Sequence, residues 1–186
     1  MNNDISKRRA FIQKLSAFSA FGLLGFPSIG NSEVFNKGGI INPEAGEVRF
    51  IGNERKAKVL IKVSKTDSET PEMSLLSEVI PPGDGIPVHY HSNEEEFLFI
   101  QKGSLEITLG EKTETGKAGS LIYVPKKVWH GFKNTADEAV ILFFGYSPAG
   151  FEDYFRAIGT PTLEEDLGFS VEDWIQTNKK YGVVYQ

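Results

Sequence analysis

The chain has 186 residues, 20 Lys and Arg against 25 Asp and Glu, a formal net charge of −5, three histidines and no cysteine. That length fits one domain plus a shorter segment, and 40% hydrophobic residues with 12% aromatics can fill a core, which excludes a globally disordered chain. The missing cysteines exclude disulfides, thiolate metal sites, iron–sulfur clusters and thiol catalysis, and the acidic balance argues against nucleic acid as a partner.

Residues 1–30 differ in character from the rest of the chain. Lys7, Arg8, Arg9 and Lys14 against Asp4 give this segment +3, so residues 31–186 carry −8. After Lys14 no charge appears until Glu33, and the run LSAFSAFGLLGFPSIG is apolar and rich in small residues. A basic start, an apolar stretch and small residues at Ser28 and Gly30 form the pattern of a secretory signal peptide. The junction SKRRAFIQK resembles the twin-arginine export signal, with Arg8-Arg9 followed after one residue by Phe11-Ile12. Residues 1–30 are therefore read as a signal peptide. The mature chain is expected to be exported, periplasmic or extracellular in a bacterium, with no stable membrane insertion after signal removal. A retained transmembrane anchor and a basic amphipathic helix kept on the mature protein are the alternatives. The apolar run falls short of the roughly 20 residues an anchor needs and is interrupted by Gly22, Gly25 and Pro27. Residues 31–46 read as a linker or N-terminal arm, and 47–186 as one domain.

From Glu47 onward short strands are expected at Val48–Ile51, Val59–Val63, Ser74–Ile80, Phe97–Ile100, Ser104–Leu109, Leu121–Val124, Trp129–Lys133 and Val140–Tyr146. Turn signals separate them at Gly52-Asn53, Pro81-Pro82-Gly83, Lys102-Gly103, Leu109-Gly110 and Ala118-Gly119. No helix-length periodicity intervenes, so the pattern predicts an all-β sandwich or barrel rather than βαβ units. Helices close the chain over about 150–182. Phe151, Tyr154, Phe155 and Ile158 recur at helical spacing before Gly159, and Ser170 is placed to cap a helix running to Gly182. Both are expected on the outside of the sheet.

The histidines fall in two segments. The first, residues 83–103, runs from Gly83 through His89-Tyr-His91 and Glu94-Glu95-Glu96 to Gly103; the second, 119–134, runs from Gly119 through Pro125 and His130 to Asn134. Alternate residues of a strand share a face, so His89 and His91 project together. Neutral imidazoles are the commonest side-chain metal ligands, and a carboxylate adds charge compensation. Together the segments resemble the paired motifs of the cupin superfamily, a G-x5-H-x-H-x4-E-x6-G pattern met in full and a G-x5-P-x-G-x2-H-x3-N pattern met everywhere except at Lys127, where the family usually has Gly. The resemblance extends more loosely to small single-domain, quercetinase-like members. It implies a double-stranded β-helix, the cupin jelly-roll barrel, with one divalent transition metal ion (Fe, Mn, Ni, Cu or Zn) held by His89, His91, Glu96 and His130. The spacing to Gly103 selects Glu96, with Glu95 as the second candidate.

Four ligands on an octahedral ion leave two positions open, the basis of cupin dioxygenases, whereas a four-coordinate zinc would be closed and structural. The resemblance thus implies a dioxygenase-like oxidoreductase acting on a small phenolic or enol-type molecule. A metal-dependent isomerase or other Lewis-acid enzyme on a polar metabolite is the alternative, as is a non-catalytic exported binding cupin. The pocket is expected to be aromatic: Phe132 shares parity with His130, and Leu98 and Ile100 share it with Glu96. Tyr123, Trp129, Phe143 and Tyr146 lie on strands that could face it, with Tyr123 and Tyr146 as weak catalytic candidates. The resemblance also suggests a homodimer, for which Val48–Ile51 is the expected edge strand.

Overall fold

In a computed structural model, residues 38–52, 57–67, 70 and 72–186 are described, so the expected signal peptide and residues 31–37 of the expected arm lie outside them. The described chain runs β1 (Glu47–Ile51), β2 (Ala57–Val63), β3 (Ser74–Ile80), β4 (Gly85–His91), β5 (Glu95–Lys102), β6 (Ser104–Leu109), β7 (Lys112–Lys117), β8 (Leu121–Val124), β9 (His130–Lys133), β10 (Val140–Ser147), α1 (Glu152–Ile158), β11 (Gly159–Thr160), α2 (Val171–Tyr181) and β12 (Val183–Tyr185). All pairings are antiparallel. One sheet has the order β11-β1-β2-β3-β10-β5-β8 and the other β12-β4-β9-β6-β7. This is the expected cupin fold, mostly β, with two short C-terminal helices.

Alternation builds the core. On β3, Ser74, Leu76 and Ile80 are fully buried while Val79 between them is exposed. On β10, Val140, Leu142, Phe144 and Tyr146 turn inward. Leu105 and Ile107 of β6 and Val183 of β12 join these residues in a single core, so the inner faces of the two sheets share one interior.

The four strands absent from the sequence expectation have weak local signals. β7, KTETGK, has no apolar residue and is placed by its hairpin with β6, where Gly110 takes φ +60° in the two-residue turn. β11 and β12 are only two and three residues long, and β4 is broken by Pro87 in its middle. The strand expected at Val48–Ile51 forms as β1, which pairs with β2 along its whole length and with the short β11 only at Phe50 and Ile51.

The helices form where expected but do more than cover a sheet. The Ser170 Oγ accepts from the Asp173 backbone N–H (3.2 Å) while Asp173 accepts from the Ser170 N–H (2.8 Å), a reciprocal cap on α2. Gly182 ends that helix in the left-handed region at φ +70°. Arg156 of α1 donates to Glu47 (2.7 Å) and Asp153 (2.7 Å), tying the helix to β1. The fully buried Glu152 accepts from the backbone N–H groups of Lys65 and Gly150, each at 2.7 Å, and holds the α1 entry against the segment after β2. Tyr154, Phe155 and Ile158 of α1 and Trp174 of α2 thereby become part of the wall of an internal cavity.

Candidate metal centre

His89 and His91 leave β4 on its inner face, as strand parity requires. β4 pairs with β9 so that His89 lies opposite His130, which brings a residue 41 positions away in sequence beside it. The turn before β9 departs from the expected motif at Lys127 yet keeps its shape: Lys127 adopts φ +63° and its N–H bonds the His91 carbonyl at 2.8 Å. A non-glycine residue pays roughly 1–2 kcal/mol for that conformation, which the surrounding bonds sustain. At the end of β9, the fully buried Asn134 donates to the carbonyls of Ile80 (3.0 Å) and Glu138 (2.8 Å) and accepts from the Ala136 N–H (3.0 Å), fixing the strand that carries His130.

Glu96 is an inner residue of β5, in register with Tyr146 on one side and Val124 on the other. Glu95 has the opposite parity and interacts with the Tyr123 phenol instead. The structure therefore assembles His89, His91, Glu96 and His130, all buried, with one donor atom from each lying within 4.8 Å of the others. The His89 and His91 Nε2 atoms are 3.2 Å apart, and Glu96 Oε2 is 2.8 Å from His130 Nε2 and 3.5 Å from His91 Nε2.

These spacings fit one ion. Donors about 2.0–2.2 Å from a common metal are about 3–3.5 Å from their neighbours. Second contacts orient two of the rings: His89 Nδ1 lies 2.8 Å from the Pro87 carbonyl and His130 Nδ1 lies 2.9 Å from that of Val128. Each Nδ1 therefore carries the proton, and the Nε2 lone pair points at the centre. Glu96 Oε2 and His130 Nε2, buried and 2.8 Å apart, have no partner beyond the cluster itself, as ligand atoms shared by one cation would be.

Electrostatics agree. Burial, with His130 and His91 nearby, pushes the His89 imidazole down to about 4, so it stays neutral. Burial would raise the Glu96 carboxyl, but hydrogen bonds from His130 and His91 outweigh it and hold the group well below the usual carboxylate range. Burial would also lower His130, and Glu96 outweighs this to raise it. Burial and then the Glu96 charge push the Tyr146 phenol well above its ordinary value, so it remains a donor to that carboxylate.

The centre opens onto a cavity of about 160 Å³. Leu98 and Phe132 line it as expected, while Ile100 is buried behind in the core. Of Tyr123, Trp129, Phe143 and Tyr146, only Tyr146 lines it. Tyr123 is 55% exposed. Phe143 lies in an outer groove with Leu75 and Val79, and Trp129 packs edge-on against Tyr90 with ring centroids 4.7 Å apart. Four further lining residues were not placed in the site by the sequence reading: Glu78, Tyr154, Trp174 and Tyr185. Tyr185 lies opposite His89 across β4 and β12, with ring centroids 5.3 Å apart. Parity alone would have put Glu78 with Leu76 and Ile80, and helical spacing put Tyr154 on one face with Phe151 and Ile158; no local signal marks Trp174 or Tyr185.

Residues 76–146 match the family model described as Cupin domain. The chain is 36% identical over 70 residues to Protein SchB of Streptomyces halstedii, covering 38% of this chain and 51% of that protein. It is 30% identical over 91 residues to Polyketide synthase CurC of Streptomyces cyaneus, covering 48% and 59%. It thus spans little more than half the length of these curated relatives. Among solved structures it resembles a predicted oxalate decarboxylase from Thermotoga maritima (TM-score 0.54, 18% identity, covering 59% of this chain and 99% of that one). It also resembles an RmlC-like cupin from Shewanella frigidimarina NCIMB 400 (TM-score 0.51, 21% identity, covering 63% and 96%). At such identities the likeness is one of fold.

Proposed function

We propose that this chain, whose residues 76–146 match the Cupin domain model, is a metal-dependent oxidoreductase of the dioxygenase type acting on a small, single-ring phenolic or enol-type molecule. One observation carries the reading: the buried three-histidine, one-glutamate centre faces a small, mainly apolar and aromatic cavity. A cavity of about 160 Å³ compares with the ~150 Å³ that admits one benzene and falls below the roughly 300–1,000 Å³ of drug-sized pockets. A three-ring flavonol is too large for it. The described lining residues include no Lys, Arg or Gln, which weighs against an isomerase for a polar metabolite.

His89, His91, Glu96 and His130 would hold the ion. When bound, it supplies Lewis acidity toward a substrate oxygen and, if redox-active, electron exchange with dioxygen. The chain supplies the surroundings. The neutral His89 keeps its lone pair available, Tyr146 steadies the Glu96 carboxylate by donating to it, and Phe132, Phe144 and Leu98 exclude water and pack on a ring face.

The test is metal analysis of the purified protein and of His130→Ala, followed by oxygen consumption by iron-, manganese- and nickel-loaded forms. Metal in the wild type, its loss in the variant, and oxygen uptake with single-ring catechols or enols but not flavonols are expected. Retained metal with unchanged stability in His130→Ala would sink the site, and no uptake by any loaded form would remove the dioxygenase reading.

Export through the twin-arginine-like segment at 1–30 belongs to the same proposal, supported by the sequence pattern alone. Among the described residues no helix is long and apolar enough to cross a membrane. A homodimer is supported by exposed Val79, Phe99, Leu121 and Tyr123, which crowd the outer face of β3, β5 and β8.

A further inference from the structure

The C-terminal segment supplies part of the cavity wall from outside both sheets. On α2 only Trp174, Thr177, Asn178 and Tyr181 are half-buried, a stripe at i, i+3, i+4 and i+7, and every other residue of the helix is exposed. Of that stripe only Trp174 lines the cavity. A side chain that lines a cavity and is itself partly exposed stands between the cavity and solvent. Trp174 is therefore a boundary of the site, and its indole is the largest side chain in the lining.

The indole is held in place, and its helix is held independently of it. Phe169 packs edge-on against the indole, with ring centroids 5.2 Å apart. One turn further along α2, Asn178 Oδ1 accepts from the Tyr154 Oη at 2.8 Å, and caps close both ends of the helix. Position along α2 sets this wall apart from the metal ligands. Gly182, at the end of the helix, accepts from the Ser92 N–H at 2.8 Å, beside the ligand His91. Trp174 precedes Gly182 by about 12 Å of helix. Helical side chains lean towards the N-terminus, which carries the indole further still from that end. A ring anchored at the metal centre thus has the indole as a stop on its far side. Replacing the indole by a methyl group frees more space than a second fused ring would occupy.

We infer that Trp174 is a specificity-determining residue, whose indole ends the cavity away from the metal centre and restricts ligands to a single ring. The inference rests on the reading of the site as one for a single-ring ligand. It names the residue that imposes that limit and the ligand class, fused two-ring diols, that its removal admits.

The test compares catechol with 2,3-dihydroxynaphthalene, which share the paired hydroxyls and differ by one fused ring on the side away from them. Binding to the zinc-loaded, full-length protein is measured by calorimetry under argon, where no turnover occurs. The wild type is expected to prefer catechol by about tenfold or more, because overfilling a packed cavity forces its wall to move. Trp174→Ala is expected to abolish or reverse the preference while still binding catechol. Trp174→Phe, which removes part of the indole, is expected to reduce it by about threefold or more. A preference retained in full by Trp174→Ala overturns the role of Trp174 while leaving the single-ring reading standing. If Trp174→Ala fails to fold or binds neither probe, Trp174→Phe decides: a reduced preference upholds the inference and an unchanged one overturns it. Equal binding of both probes by the wild type, or binding of neither, overturns the single-ring reading and this inference with it.

Discussion

Removing the metal should leave a protein that is unstable to acid, and His89 should be the reason. Its imidazole is 6% exposed, its Nδ1 proton is committed to the Pro87 carbonyl, and its Nε2 faces His91 at 3.2 Å. A proton added there would sit among other imidazoles without water. The ring accordingly titrates at about 4 in the fold against 6.5 in the unfolded chain. Between those values the unfolded chain binds more protons than the native one, so stability rises with pH and is lost as pH falls from 6.5 through 4. The full loss is about 3 kcal/mol, which in a chain of this size lowers Tm by roughly 6–12 °C. Thermal melting of chelator-treated protein, followed between pH 7 and 4 for the wild type and His89→Gln, isolates this contribution. The variant cannot take up that proton but keeps the His130–Glu96 pair, whose shifts act in both proteins. The wild-type Tm should fall below that of the variant progressively as the pH drops, after allowing for any constant offset. Parallel Tm curves across that range would refute the argument that burial holds His89 neutral.

Contacts around the site lead to two more expected outcomes. Asn134→Ala leaves the buried Ile80 carbonyl, the part-buried Glu138 carbonyl and the Ala136 N–H without their partner, so it should cost about 3 kcal/mol at roughly 1 kcal/mol per bond, read as a lower denaturant midpoint, and should weaken metal retention by loosening β9. Gly182→Ala places a Cβ 2.7 Å from Asn93 Nδ2 and 3.1 Å from Ser92 Cβ at a φ of +70°. It should destabilise by about 1–2 kcal/mol and raise hydrogen exchange at β12, opening the cavity wall formed by Tyr185.

The candidate ligand set was legible only through the resemblance of the two motifs; composition and strand parity by themselves mark three scarce histidines and put His89 and His91 on one face, because parity on one strand is a local property. Ser170 and Gly182 were legible as the ends of α2, because capping is settled by a few adjacent residues. The inner face of an apolar strand was not legible. β8 reads LIYV with every residue apolar or aromatic, so the pattern cannot say that Val124 is buried and Tyr123 exposed. β10 reads VILFFGYS, and only its pairing with β5, which sets Tyr146 beside Glu96, decides that Tyr146 and not Phe143 joins the site. The cavity's size, and the presence in it of Glu78, Trp174 and Tyr185, likewise emerged only with the packed fold. These groups come from strands and helices distant in the chain. Their meeting depends on how two sheets and a C-terminal segment pack against each other, which no local spacing encodes.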